Sequence, residues 1–225
     1  MKSIGMIVAV EMDAVLSRYG RAAGLETRGG FEVHRYEGED YTLHIVSAGA
    51  GEIAAAAATE LLIAAYGAEL IVNFGVVGGL TEEMALARTV LVESVVHYDF
   101  DTSAWDGCEV GRYTAYPTPH IPTTPELLAR AKALFPELRS VVCASADKFV
   151  AGAEAKRALH ERFGAEICEM EAAGVVLTCN RALVPCLVVK TVSDGITGGA
   201  EEFSKELRRS AEICLAITDE IIRSL

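Results

Sequence analysis

The sequence predicts an α/β fold of three layers, in which a mixed, mainly parallel central sheet lies between two layers of helices. Short apolar runs alternate along the chain with stretches of helical periodicity, and this alternation favours parallel pairing of strands. The composition is 51% hydrophobic and only 7% aromatic, which is typical of a buried sheet covered by helices rich in small residues. The length of 225 residues suits one domain, so residues 1–225 are expected to form a single unit.

The first half of the chain is predicted to contain five strands and two helices. Continuous apolar runs indicate buried strands, and two alternating runs on either side of the polar residues 37–40 indicate a hairpin. The predicted strands are residues 4–10, 31–36, 41–46, 69–74 and 88–97. The predicted helices are residues 11–19 and 52–66.

The second half begins with a long loop, residues 99–125, which contains most of the prolines. A loop of this length in a compact domain is usually functional or part of an interface. Thr124 and Pro125 then predict the start of a helix that ends near Leu134. Beyond it, the predicted strands are residues 140–145, 166–170 and 185–192, and the predicted helices are residues 152–163, 171–181 and 201–225.

The formal net charge of −12 argues against partners that are themselves negatively charged. A chain this acidic repels the phosphate backbone of nucleic acids and the headgroups of anionic membranes, so neither is expected as a partner. The first apolar run is interrupted at Glu11 and Asp13, too early for a signal peptide, and the apolar run at 53–65 is too short to span a bilayer. The protein is therefore expected in the cytoplasm.

The cysteines and histidines give no sign of a metal or redox centre. The six cysteines form no C-x-x-C pair and are expected to be reduced thiols, most of them in the core. The five histidines lie far apart without the spacing of metal ligands. The chain also lacks the glycine patterns of dinucleotide-binding and Walker loops, so no metal and no cofactor is expected.

The strongest candidate for chemistry is the end of the apolar run at 185–192. Ligands of open α/β sheets bind outside the carboxyl ends of the strands, and this strand delivers Ser193 and Asp194 to its end before Gly195 allows a turn. Apolar walls around Asp194 would favour the protonated carboxyl, so that it can act as an acid. The alternative is that Asp194 only caps the turn.

The second candidate is Glu169-Met170-Glu171, where a short strand becomes a helix. Glu171 lies at the start of the helix, where the helix dipole favours its ionised form. A fixed carboxylate with free lone pairs is a good partner for the neighbouring hydroxyls of a sugar. The sequence alone favours the simpler interpretation, in which Glu171 serves only the helix dipole.

Two weaker candidates follow the other early strands. Residues 73–80, Asn-Phe-Gly-Val-Val-Gly-Gly-Leu, contain glycines that allow a ligand to approach the backbone closely. Glu11 and Asp13 follow the first strand and either orient a water molecule or begin a solvated helix.

Taken together, these motifs resemble the nucleoside phosphorylase/nucleosidase superfamily, and most closely the 5′-methylthioadenosine/S-adenosylhomocysteine nucleosidases. The resemblance extends over nearly the whole chain and includes Tyr-Asp-Phe-Asp at 98–101 and Ser-Ala-Asp-Lys-Phe-Val at 145–150. It implies a nucleoside phosphorylase-like fold, a homodimer, a purine nucleoside as the small-molecule substrate, and hydrolysis of its N-glycosidic bond.

The resemblance also implies a role for individual residues. Asp194 would protonate the departing purine at N7, and Glu171, beside Met170, would hold the ribose hydroxyls. Asp13 would position the attacking water, with its neighbour Glu11 left open as the alternative. The other residues implied to contact substrate are Phe149, which stacks on the purine, Val150, whose backbone reads the purine edge, and Ala50, Val76, Gly78, Glu169, Lys190, Ser193 and Trp105, the last across a dimer interface.

Three positions depart from the pattern of this family. Val76 stands where a serine is usual, Lys190 replaces an arginine, and Asp13 is one methylene shorter than the expected glutamate. All three surround the expected site of the nucleophile, whereas the proposed acid and the ribose carboxylate match the pattern.

Two other functions remain open at the level of sequence. A phosphorylase of the same fold would need a site for phosphate, but the chain lacks the Gly-Asp-Pro segment and the arginines that supply it, and its first strand ends in acids. A nucleoside-binding domain without turnover is the alternative from another class. Among substrates, the 5′ group can be methylthio, homocysteinyl or a bulkier group such as a futalosine tail, and the base adenine or hypoxanthine.

Overall fold

The structure, a computed structural model, describes residues 2–225 and has an α/β fold. Its strands are β1 (Lys2–Val8), β2 (Gly24–Arg28), β3 (Phe31–Glu37), β4 (Tyr41–Ser47), β5 (Leu70–Gly79), β6 (Thr89–His97), β7 (Ile121–Pro122), β8 (Arg139–Ser145), β9 (Ile167–Glu169) and β10 (Cys186–Asp194). Its helices are α1 (Met12–Tyr19), α2 (Glu52–Tyr66), α3 (Ser103–Asp106), α4 (Pro125–Leu134), α5 (Ala153–Phe163), α6 (Ala172–Ala182) and α7 (Ala200–Ser224). The prediction of an α/β fold is confirmed.

Strand β5 lies at the centre of the sheet. It is parallel to β1 on one side and to β10 on the other. Beyond β1 the sheet continues through β4, which is parallel to β1, and then through the antiparallel strands β3 and β2. Parallel and antiparallel pairings both occur among residues 2–225, so the prediction of a mixed sheet is confirmed.

The other side of the sheet curls into a closed ring. β10 is antiparallel to β6, and β6, β8 and β9 follow as parallel neighbours. β9 then pairs with the end of β5, where Gly78 lies opposite Cys168 and Gly79 opposite Ile167. The ring of β5, β10, β6, β8 and β9 brings the ends of these strands close together.

Alternate residues of β5 pack into two different cores. Ile71 and Val77 belong to a core that includes side chains of α2 and α6. Val72 and Phe74 belong to a second core that includes side chains of α1, α4 and α7. Because successive side chains of a strand point to opposite faces of a sheet, the two groups of helices lie on opposite sides of β5.

The predicted elements agree with the observed ones to within a few residues at most ends, with three exceptions. β2 is not predicted, because four of its five residues are exposed and its sequence lacks apolar alternation. β5 continues to Gly79 instead of ending at Phe74, because β10 and β9 pair with its glycine-containing end. The long loop contains the short elements α3 and β7 within its irregular backbone.

The cysteines are free thiols, and five of the six are buried. Within residues 2–225, no helix combines the length and the apolar character needed to cross a bilayer.

Candidate active site

A cleft of about 250 Å³ opens at the ends of β1, β5, β8, β9 and β10. The ends of the strands are the place at which α/β sheets bind ligands. The residues that line it are Ala9, Val10, Glu11, Ala50, Val76, Val77, Gly78, Lys148, Phe149, Val150, Cys168, Glu169, Met170, Glu171, Asp194 and Phe203.

Asp194, the last residue of β10, lines the cleft but is only 2% exposed. Its Oδ1 lies 3.2 Å from the hydroxyl of Ser193. Its Oδ2 lies 2.5 Å from Nζ of Lys156 on α5. Besides the apolar walls that the sequence suggests, a fully buried ammonium group therefore contacts this carboxyl.

The carboxylate of Glu169, at the end of β9, is engaged in hydrogen bonds with other groups of the protein. It accepts the backbone N–H groups of Glu171 and Ala172, at 2.9–3.1 Å, at the start of α6. It also accepts a hydrogen bond from Nζ of Lys190 at 3.0 Å. Glu169 therefore caps α6 and holds the segment before it in place, although it also borders the cleft.

Glu171 lies directly before α6, lines the cleft and is 7% exposed. Its Oε1 accepts the backbone N–H of Gly51 at 3.0 Å. Gly51 has φ +113°, and a Cβ there would lie 2.9 Å from Oδ1 of Asp147, so only glycine suits this position. The glycine-rich turn before α2 thus fixes the orientation of the Glu171 carboxyl.

The electrostatic environment of Glu171 differs from the one that its place at a helix start suggests. Burial, followed by the neighbouring charge of Glu169, raises the pKa of Glu171 to about 7, although Lys190 and the N–H of Gly51 oppose the shift. Burial and Glu169 likewise raise the pKa of Glu52, at the start of α2, to about 8. The helix dipole is therefore outweighed, and Glu171 changes its protonation near neutral pH.

Glu11 follows β1 and brings a fourth carboxyl group to the cleft. Its Oε2 accepts the N–H groups of Ala9 and Val10 at 3.0 and 2.9 Å, and its Oε1 accepts the N–H of Val76 at 2.9 Å. A Cβ at Gly75 would lie 2.7 Å from Oε1 of Glu11. The glycine in β5 therefore permits the close approach that fixes this carboxylate.

Asp13, in contrast, is exposed in the first turn of α1 and does not line the cleft. The expectation that Asp13 positions a nucleophile is therefore wrong, because its side chain lies outside the cleft. The alternative, Glu11, is the residue that lies in the cleft. The reason is helical geometry, because residues two positions apart on a helix point roughly 200° apart around its axis.

Lys190 also differs from its expected place. It is 2% exposed, and its ammonium group pairs with Glu169 and does not line the cleft. Burial lowers the pKa of Lys190, but the carboxylates of Glu169 and Glu171 more than offset this and raise it above its ordinary value. Lys190 is thus a buried counter-ion for the carboxyl groups.

The apolar wall of the cleft combines two distant parts of the chain. Phe149, Val150 and Met170 line it at positions that the sequence suggests, as do Ala50, Val76 and Gly78. Phe149 is 43% exposed, and its ring meets the ring of Phe203 on α7 edge to face at 5.5 Å. An exposed aromatic face in a cleft is suited to stacking on a flat base.

Two further predicted residues lie outside the cleft lining. Ser193 is buried, with its hydroxyl 3.2 Å from both Oδ1 of Asp194 and the carbonyl of Val77. Trp105 on α3 is 85% exposed. The expectation that Trp105 encloses a substrate concerns the cleft of a second subunit and stays a prediction.

Lys156 and Phe203 are among the residues of the site that sequence reasoning misses. Phe203 lies in the first turn of α7 and belongs to no local motif. Lys156 gives a weak signal, because it lies seven residues before Phe163 on α5 and both are buried. Residues at this spacing share a helix face, so Lys156 continues an inward-facing row of apolar residues.

A family model described as the phosphorylase superfamily matches residues 4–223. Because this match covers nearly the whole chain, the chain belongs to the phosphorylase superfamily.

Relatives and solved structures define a narrower class within it. The 5′-methylthioadenosine/S-adenosylhomocysteine nucleosidase of Shewanella sediminis is 28% identical over 210 residues, which is 88% of each protein. A crystal structure of the Helicobacter pylori nucleosidase of the same name, complexed with an aminopyrrolopyrimidine–pyrrolidinol compound, has a TM-score of 0.94 at 26% identity and covers 100% of this chain and 99% of its own. A structure of Helicobacter pylori futalosine hydrolase has a TM-score of 0.94 at 26% identity, with 100% and 98% coverage. The predicted class of enzyme, a purine nucleosidase, is confirmed.

Proposed function

We propose that this protein hydrolyses the N-glycosidic bond of a purine nucleoside of the 5′-methylthioadenosine or S-adenosylhomocysteine type. The products are the free base and a 5-substituted ribose. The observation that carries the proposal is the meeting of three buried carboxyl groups, of Asp194, Glu171 and Glu11, in one cleft beside an exposed aromatic ring. The names of the relatives support the class of substrate.

Asp194 is the general acid of the proposed reaction. A purine leaves far more readily as a neutral base than as an anion, so a proton given to N7 as the C1′–N9 bond breaks lowers the barrier. Positioned acids of this kind contribute typically 10²–10⁴-fold to the rate. The place of Asp194 at the end of β10, inside the cleft and nearly shielded from solvent, supports this role.

Glu171 binds the ribose hydroxyls and stabilises the positive charge that develops on the ribosyl ring. An oxocarbenium-like transition state forms in glycoside hydrolysis, and a carboxylate beside it binds the transition state more strongly than the neutral substrate. The hydrogen bonds of the two glutamates support this role for Glu171. The N–H of Gly51 fixes one oxygen of Glu171, whereas the carboxylate of Glu169 already accepts hydrogen bonds from the start of α6 and from Lys190.

Glu11 positions the attacking water and accepts its proton. The three backbone N–H groups that hold the carboxylate keep it in one orientation, which is what a general base requires. The carbon–oxygen bond to C1′ forms as the proton of the water passes to Glu11.

Changing Glu11 to glutamine is expected to lower kcat by about 10²-fold or more, because a glutamine amide accepts no proton from water. The matched control is Asp13→Asn on the exposed side of α1, which is expected to leave kcat within about twofold of the wild type. Initial rates of base release check both variants. Equal losses in the two, or a loss only in Asp13→Asn, would contradict the assignment.

Water is proposed as the nucleophile in preference to phosphate. Four acidic residues line the cleft, namely Glu11, Glu169, Glu171 and Asp194. Among the described residues that line it, one is basic, Lys148. A phosphate anion would meet predominantly negative charge. Phosphate sites are instead formed by clustered cations or by converging backbone N–H groups.

The experiment that tests the function is incubation of the protein with single nucleosides in phosphate-free buffer, with chromatographic detection of the free base. The set contains methylthioadenosine, S-adenosylhomocysteine, adenosine, inosine and futalosine, each with and without phosphate. Release of adenine without phosphate is the expected result. Turnover only with added phosphate would establish phosphorolysis, and binding without turnover would establish a nucleoside-binding domain.

A second candidate substrate is futalosine. The likeness to the Helicobacter pylori futalosine hydrolase equals the likeness to the nucleosidase structure in TM-score and in identity. The two candidates differ in the group at the 5′ position and in the base, so the relative kcat/KM for methylthioadenosine and futalosine separates them.

The architecture is proposed to be a single three-layer unit with a mainly parallel sheet. The helices α2 and α6 on one side of β5, and α1, α4 and α7 on the other, support three layers. The longest registers, which are those of β10 with β5, β1 with β4 and β6 with β8, are parallel.

The protein is proposed to act as a cytoplasmic homodimer. Large apolar side chains support this assembly, because Ile53 on α2 and Trp105 on α3 are 81% and 85% exposed, and exposed apolar residues of this kind mark interfaces when they cluster. The free, buried cysteines are typical of a reducing compartment. Sedimentation velocity is expected to show twice the monomer mass, and a monomer at micromolar concentration would contradict the dimer.

A further inference from the structure

Lys156 is a fully buried lysine whose partners are all polar atoms at the end of β10. Its Nζ lies 2.5 Å from Oδ2 of Asp194, 2.7 Å from the carbonyl oxygen of Gly195 and 3.4 Å from that of Gly198. An ammonium group has three N–H donors, and these three acceptors use all of them. The side chain is therefore held as a charged group inside the protein.

Neither the helix nor the core explains a cation at this position. Lys156 lies in the N-terminal half of α5, where the helix dipole disfavours positive charge. It shares the inward face of α5 with the buried Phe163, so a leucine or methionine would fill the space without the desolvation of a charge. A buried ion pair is also weak evidence for stability, because apolar residues of similar volume often replace one at no loss.

Gly78 on β5 leaves space for the contact between Lys156 and Asp194. A Cβ added to Gly78 would lie 3.1 Å from Sγ of Cys168, 3.2 Å from Oδ2 of Asp194 and 3.4 Å from Nζ of Lys156. Gly78 also lines the cleft. The absence of a side chain at this position lets the lysine and the aspartate meet at the border of the cleft.

We propose that Lys156 is a positioning residue for the acid, whose ammonium group holds Oδ2 of Asp194 and stabilises the carboxylate that forms when Oδ1 gives its proton to the purine. This inference rests on the proposed function, because it assigns Lys156 to the same proton transfer. The class of ligand is a purine with an unprotonated N7.

The proton transfer involves only Asp194, Lys156 and the substrate, and it conserves atoms and electrons. The O–H bond at Oδ1 breaks, the N7–H bond forms, and the electron pair of the O–H bond stays on Asp194. The electrons of the C1′–N9 bond pass into the purine, which leaves as a neutral base. Lys156 keeps its three protons throughout, so it lowers the energy of the ionised carboxylate without being consumed.

Few other ionisable groups contact the pair. Burial raises the pKa of Cys168 on β9 to about 12, so this thiol stays neutral over the working range of pH. Glu202 on α7 accepts the N–H of Gly195 at 2.8 Å and so supports the turn whose carbonyls bind Lys156. A change in the titration of Asp194 on removal of Lys156 therefore reports the loss of this ammonium group.

The test compares Lys156→Met with Lys156→Arg, and uses Lys132→Met on the exposed surface of α4 as the control for the loss of one positive charge. The first measurement is the ¹³C shift of the Asp194 carboxyl against pH in the free protein, which needs no activity. In Lys156→Met the midpoint is expected to rise by about 1–3 pH units, the effect of losing an adjacent cation.

The second measurement is the pH profile of kcat/KM for base release. In Lys156→Met the limb at which activity is lost with rising pH is expected to move upward, and kcat at neutral pH to fall by about tenfold or more. Lys156→Arg keeps the charge and is expected to restore the position of the limb at least in part, and Lys132→Met to match the wild type.

A merely structural role for Lys156 predicts a different result. It would lower the melting temperature and the yield of active protein without moving the carboxyl midpoint or the pH profile, and that outcome overturns the inference. A wild-type protein that hydrolyses no nucleoside would instead overturn the proposed function. The carboxyl titration would still decide whether Lys156 stabilises ionised Asp194, so the two failures are distinguishable.

Discussion

Replacing Asp194 with asparagine is expected to lower kcat for base release by about 10²–10⁴-fold. An asparagine amide has the shape of the carboxyl group but gives no proton to N7, so the purine must leave as an anion. Binding of the nucleoside is expected to change little, because Phe149, Val150 and Glu171 are unaltered in the cleft. The measurement is single-turnover release of the base, with the affinity for the nucleoside taken from calorimetry.

At a pH at which Asp194 is ionised in the free protein, the same variant is also expected to be less stable, because the charge of the buried Lys156 loses its partner. Removing one member of a buried ion pair typically costs about 3–5 kcal/mol, and the amide oxygen, which still accepts a hydrogen bond, reduces that cost. The double variant Asp194→Asn/Lys156→Met is expected to regain most of the loss in denaturant unfolding while remaining inactive.

Asp40→Asn, in the exposed turn of the β3–β4 hairpin, is the control for this pair of variants. Wild-type kcat in Asp194→Asn would remove the acid assignment. Equal stability of Asp194→Asn and the wild type would show that the charge of Asp194 does not stabilise buried Lys156.

Replacing Glu171 with glutamine is expected to lower kcat by about 10²–10³-fold, the range for removal of one group that stabilises transition-state charge. The neutral amide can still bond to ribose hydroxyls, so KM is expected to change less than kcat. A loss confined to KM would contradict a role in the transition state. Glu166→Gln, outside the cleft, is the matched control and is expected to keep wild-type kcat.

The pH dependence of the wild type is a second part of this prediction. Because burial and Glu169 raise the pKa of Glu171 to about 7, and because the proposed role needs the ionised form, kcat is expected to rise with pH through about 7. The charged groups that influence this step are Glu169, Lys190 and Glu11. Glu171→Gln is expected to lack this rising limb.

The same shift has a consequence for stability. The pKa of Glu171 in the folded protein lies above its ordinary value of 4.5, so the folded state binds the proton more tightly than the unfolded state. The contribution to stability is present below about pH 4.5 and is lost as pH rises through about 7. At pH 8, Glu171→Gln is therefore expected to be as stable as the wild type or more stable, as is common when a functional charge is removed from a buried site.

Local patterns in the sequence determine most elements of this fold and point to two residues of its candidate site. The helix at 52–66 and the buried strands follow from hydrophobic periodicity, which acts over a few neighbouring residues. Asp194 ends one strand and Glu171 follows another by two residues, and strand ends in an α/β sheet converge on the site. The residues alone leave a turn-capping role open for Asp194 and favour a helix-dipole role for Glu171. Their motifs also resemble those of the family to which the chain belongs.

Only the tertiary structure decides which other side chains reach the cleft. The resemblance favours Asp13 and leaves Glu11 as the alternative, whereas in the structure Glu11 lines the cleft and Asp13 is exposed to solvent. In the sequence, Lys156 resembles a solvated helix residue, and only the closing of the ring of β5, β10, β6, β8 and β9 places Asp194 against it. Such contacts join residues far apart along the chain, so they depend on packing and solvation in three dimensions, which no local pattern records.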